Sequence, residues 1–201
     1  YNSTVVHDRR ETMEKYKRGS IMNTPRPIYI GCDPAFRAGG FWAAILDMED
    51  KTIRFMSFDL LSWHDFLRSA DAPPSCFICV ENSNLQNKSF DMTGTKAEIA
   101  RKGRNVGCNQ AVSELAYRSA VLQYGARNVF QVSPKEKGVK ITDARVFFGI
   151  MKQEGILLPP GATNQDQRDA AKLALICQRK ALLEGRFKAA KVPQIRYNPA
   201  P

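Results

Sequence analysis

The chain is 201 residues long and 43% hydrophobic, with 30 Lys and Arg against 20 Asp and Glu, for a net charge of +10. That length and apolar content suit one domain of ordinary size with tails, and the longest apolar runs, 41 to 46 and 170 to 177, are too short for a membrane span. The basic excess points to a polyanion, nucleic acid first and an anionic membrane surface second, while an odd five cysteines set in apolar segments favours reduced thiols in a cytoplasmic protein.

Residues 1 to 26 are polar and charged and read as a tail, or as a short helix from about Glu11 to Arg18. From Pro27, "PIYIGCD" (27 to 33), "GFWAAILDM" (40 to 48) and "TIRFMSFDL" (52 to 60) are apolar or alternating runs with turn chemistry between them, which predicts an antiparallel three-strand meander. "SWHDFLRSA" (62 to 70) predicts a short helix with Ser62 as N-cap, and a fourth strand follows over 75 to 81. Cys76 and Cys79 have zinc-like spacing, but in a strand residues three apart face opposite sides.

Residues 83 to 106 show no periodicity and carry Lys88, Phe90, Lys96, Arg101, Lys102 and Arg104, so they read as a loop or a ligand-facing segment. Val112, Leu115, Ala116, Ser119 and Leu122 then recur at helical spacing up to Gly125. A fifth strand is predicted over 127 to 132, followed by a basic loop "PKEKGVK" and a helix from Thr142 to Glu154. Asn164 and Gln167 stand as N-cap and N3 partner of a last helix running to Glu184, and the tail from Arg186 is basic. A meander followed by alternating strand and helix implies an α/β domain over 27 to 185: a mixed five-stranded sheet flanked by helices, between tails 1 to 26 and 186 to 201.

Four acids stand at the ends of these elements. Asp33 closes the first strand and Glu81 the fourth; parallel pairing of those strands puts both on one rim of the sheet. Asp166 and Asp169, three apart in the first turn of the last helix, project from one helical face. Taken singly, each has an ordinary explanation: a turn aspartate, a surface glutamate, acids that complement a helix dipole. Together they form an oxygen-only set whose mutual repulsion calls for a hard cation, Mg²⁺ or Mn²⁺, and two such ions suit phosphodiester hydrolysis.

With "YIGCDPAFRAGGFWAAILD", "ICVEN", "NVGCNQAVSELA", "VSPKEKGVKITDA" and above all "TNQDQRDAAKLAL", residues 27 to 184 resemble the RuvC-type Holliday-junction resolvases of the ribonuclease H-like superfamily, in wording closest to phage-encoded members. The resemblance implies a ribonuclease H-like fold, a homodimer, and paired symmetric nicking of four-way DNA junctions in a bacterial or phage-infected cell. It implies Asp33, Glu81, Asp166 and Asp169 as ligands of two Mg²⁺ or Mn²⁺ ions. Lys135, Lys137 and Lys140 would lie near the scissile phosphate, with Lys140 as the preferred phosphate contact. Phe90 would stack on an unpaired base, and Lys88, Arg101, Lys102 and Arg104 would face DNA. Asn82, Asn84 and Gln86 would hydrogen-bond the DNA backbone or orient the metal ligands. The sequence departs from the family at Ala35, where Gly is common, and at Arg168 and Lys172 around Asp169. Two other readings stand beside this one: a non-catalytic nucleic-acid-binding module, and a related nuclease acting on forks or flaps.

Overall fold

Alternation of apolar residues between the two faces of each strand organises the molecule, which a computed structural model describes over residues 28–36, 40–86, 93–161 and 163–185. The tails, Lys88 and Phe90 lie outside the described residues. The strands are β1 (Ile28–Asp33), β2 (Phe41–Asp47), β3 (Thr52–Phe58), β4 (Phe77–Glu81) and β5 (Val129–Val132), arranged in the order β3-β2-β1-β4-β5. Pairing is antiparallel from β1 to β2 and from β2 to β3, and parallel from β1 to β4 and from β4 to β5. This is the mixed sheet that the element order implied.

Helices cover both faces. On one side Ile30, Cys32, Ala43, Ile45, Ile78 and Val80 pack against α1 (Leu60–Arg68) and the C-terminal half of α2 (Lys96–Tyr124). Trp63 anchors this layer: its ring lies edge-on to Phe58 at 5.3 Å and its indole N–H donates to the Ala116 carbonyl at 3.1 Å. On the other side Tyr29, Ala44, Leu46, Cys79 and Phe130 pack against α4 (Ala144–Gln153) and α5 (Gln165–Leu183). Cys76 and Cys79 fall into different layers, as alternation requires.

Gly31 permits a close approach of α5 to the sheet. A methyl group built there would lie 2.1 Å from the Ala170 carbonyl oxygen and 2.2 Å from the Ala174 amide nitrogen, so α5 lies directly on the backbone of β1. Only a residue with no side chain permits this contact.

Several element ends differ from the sequence expectation. Asp59, not Ser62, caps α1: its carboxylate accepts from the Ser62 amide at 2.7 Å, and Ser62 Oγ accepts from the Asp59 amide at 2.9 Å in a capping box. Helix α2 begins at Lys96, capped reciprocally by Thr95 and Glu98, and runs 29 residues through much of what read as an unpatterned stretch. Its buried residues are Ser113, Ala116, Ala120 and Tyr124, whereas Leu115 and Leu122 are 48% and 64% exposed, so the inward face is rotated from the one expected. The basic loop contains a four-residue helix, α3 (Pro134–Lys137), capped by Ser133 and closed by Gly138 at φ +76°. Asp143 rather than Thr142 caps α4, and α5 starts with the predicted Asn164–Gln167 capping box. Among the described residues no helix is long and apolar enough to cross a membrane.

Candidate active site

The register of β1 on β4 builds the site. Cys32 pairs with Val80, so the next residues, Asp33 and Glu81, stand side by side at the carboxyl ends of two parallel strands. Both share the parity of Tyr29 and Cys79 and so turn toward the α5 face. There α5, seated on Gly31, presents Asp169, which is fully buried. Asp166, one turn earlier, is half-buried and lines the same cleft. The structure thus gathers Asp33, Glu81 and Asp169 at one point and sets Asp166 beside them.

Between the three acids sits the ammonium of Lys137, which is 5% exposed. Its Nζ lies 3.2 Å from Asp33 Oδ2 and 3.6 Å from Asp169 Oδ2, and it forms an ion pair with Glu81 Oε2. Burial alone would lower the Lys137 pKa, but the charges of Asp33, Glu81 and Asp169 outweigh it and push it up to about 12. Burial likewise pushes the Asp33 carboxyl up to about 6; Lys137 pulls it down, while Glu81 and Asp169 add to the rise.

One ammonium does not satisfy three carboxylates. Neither side-chain oxygen of Asp169 accepts a hydrogen bond, although both are buried. The neighbouring cations give no help: Arg168 donates to the carbonyls of Ile141, Thr142 and Thr163, and Lys172 donates to the Val139 carbonyl at 2.8 Å. Arg168 and Lys172 thus anchor the 139–142 loop.

The cleft has a volume of about 570 Å³ and is lined by Asp33, Glu81, Asp166, Lys137 and Lys140, with Val106, Asn109 and Gln110 of α2 among its other walls. Lys140 is exposed and lines the cleft, whereas the lysine at the centre of the acids is Lys137. The short helix α3 decides this, because it turns Lys137 inward, a direction that a loop reading could not supply. Lys135 is exposed on α3 and does not line the cleft. Arg101, Lys102 and Arg104 are exposed on α2, in the turns before its cleft-lining residues, and Lys102 donates to the Thr93 carbonyl at 2.8 Å.

No family model and no curated protein matches the chain. Among the described residues no group of three or more His, Cys, Asp or Glu side chains is already spaced to hold a metal ion, since the acids converge on an ammonium. In donor chemistry, however, they fit a hard divalent cation: all-oxygen, largely buried, and with Asp169 oxygens that lack hydrogen-bond donors.

Of the two roles expected of Asn82, its geometry bears on the second, orienting the acids. It is 1% exposed. Its amide donates to Glu114 Oε2 at 3.0 Å and to Gln131 Oε1 at 2.9 Å, and its oxygen accepts from the Asn84 backbone and side chain. Hydrogen bonds from Arg118 and Asn82 hold the Glu114 carboxyl below its ordinary range. This network fastens the end of β4, and with it Glu81, to α2; the periodicity around 114 and 131 gives no hint of it. Asn82→Ala is expected to cost about 1–3 kcal/mol in a denaturant titration, because it strands buried polar partners. A midpoint unchanged from wild type would count against the network.

Proposed function

We propose that the chain is a divalent-metal-dependent endonuclease of ribonuclease H-like architecture that acts as a homodimer on branched DNA, four-way junctions foremost, with paired symmetric nicks. The observation that carries this reading is the convergence of Asp33, Glu81 and Asp169, from β1, β4 and α5, on the Lys137 ammonium beside a cleft that Asp33, Glu81, Asp166 and Lys140 line. Asp33, Glu81, Asp166 and Asp169 would hold two Mg²⁺ or Mn²⁺ ions. Bound there, the ions would supply an activated water and neutralise charge on the leaving oxygen. Lys140 would meet the scissile phosphate from the mouth, and Arg101, Lys102 and Arg104 would hold the backbone of a neighbouring DNA arm. An isologous dimer would present two equivalent sites to a two-fold substrate.

One observation favours the competing reading of a non-catalytic nucleic-acid-binding module: Lys137 already bridges the acids. The two separate on a panel of labelled four-way junctions, forks and flaps incubated with Mg²⁺, Mn²⁺ or EDTA. Metal-dependent nicks placed symmetrically on opposite strands of the junction are expected. Tight junction binding with every strand intact in either metal would instead favour the binding module, and preferential cutting of forks or flaps would move the substrate within the nuclease class.

A further inference from the structure

Resting on that reading, we propose that Lys137 is a built-in stand-in for the metal: its ammonium holds Asp33, Glu81 and Asp169 together in the metal-free protein and is expelled into the cleft when a metal loads.

The argument begins with space. The Lys137 Nζ contacts carboxylates from three separate elements, and a cation bound by the same oxygens would need the volume it fills. Two cations sharing those oxygens at contact distance repel strongly, so the side chain and the metal exclude each other. The backbone of Lys137 is in no position to move. It ends α3, whose Ser133 cap accepts from the Glu136 amide at 3.1 Å, and Glu136 is paired with Lys180 of α5 at 2.7 Å. The four-carbon stem is free to swing from that fixed base, and the cleft beside it gives the ammonium a place to go. There it joins Lys140 on the side from which a phosphate would enter.

Two consequences follow for the order of events. Without metal, the lysine prevents the three acids from repelling one another apart, so the site is held in shape before loading. With metal, the same lysine adds a positive charge to the cleft. Lys137 is thus a positioning residue in one state and a phosphate contact in the other.

The test uses the full chain and two readouts other than cleavage. Calorimetric titration with Mn²⁺ is expected to show that Lys137→Met binds the ion about tenfold more tightly than wild type, because a competitor is gone. A merely structural lysine would give unchanged or weaker affinity, and that result would overturn the proposal. Should the variant fail to fold, wild-type protein decides: amine acylation mapped by peptide mass spectrometry is expected to find Lys137 protected in EDTA and reactive in saturating Mn²⁺, with exposed Lys135 and Lys140 labelled in both. Protection that persists while calorimetry shows bound Mn²⁺ overturns the inference alone. No Mn²⁺ binding at all overturns it together with the nuclease reading. Metal-linked unmasking of Lys137 without any nicking would leave it standing while the nuclease reading falls.

Discussion

On the proposed reading, Asp33→Asn is expected to lower metal-dependent nicking of a four-way junction by about a thousandfold or more, since it removes one carboxylate charge from the cluster without changing the shape of the site. The loss is expected without unfolding. Burial, aided by Glu81 and Asp169 and opposed by Lys137, places the Asp33 carboxyl at about 6 in the folded protein. A carboxyl raised above its ordinary value of about 3.9 contributes stability below about pH 4 and loses it as the pH rises through its folded value. In EDTA, therefore, wild type should lose stability relative to Asp33→Asn as the pH rises from about 4 to 6. Denaturant titrations over that range check the sign. A variant that is inactive because it is unfolded at neutral pH would contradict both halves of the expectation.

Gly31→Ala is expected to be among the most damaging single-methyl changes in the chain. The added carbon meets backbone atoms of Ala170 and Ala174, which cannot rotate away as a side chain can, so α5 must lift from β1. Overpacking of this kind costs about 3 kcal/mol or more, read as a fall in denaturation midpoint. Because Asp169 adjoins Ala170, the same displacement pulls a carboxylate from the cluster, and Mn²⁺ affinity should fall as well. Gly149→Ala on α4 is the control: a methyl there meets nothing within 4 Å, and the expected change is a small stabilisation from lost chain entropy. Equal effects at both positions would refute the close-packing account.

The sheet was readable in the sequence because its strands carry the apolar runs and its turns carry their usual residues. The acids at the ends of β1 and β4 were readable for the same reason: strand ends are visible, and the parallel pairing of those strands follows from the helix between them. The capping box of α5 fixed the turn that holds Asp166 and Asp169. The first half of α2 escaped notice because it buries no residue, so it imposes no period on the sequence, and its start is written only in Thr95 and Glu98. Lys137 was one of three lysines in a loop until α3 gave them directions. The burial of Asn82 was not readable because it depends on partners 32 and 49 residues away, which no local pattern encodes.

Helix α2 has a further meaning in terms of entropy. Its 29 residues would span about 43 Å, and its buried residues begin only at Ser113. The packed half supplies the nucleus from which the solvated half propagates, so the costly first turn of an isolated helix never has to form alone. Arg101 and Arg104 therefore project from an arm that is already ordered. A polyanion meeting such an arm surrenders none of its binding energy to folding the segment it touches, unlike one that meets a tail.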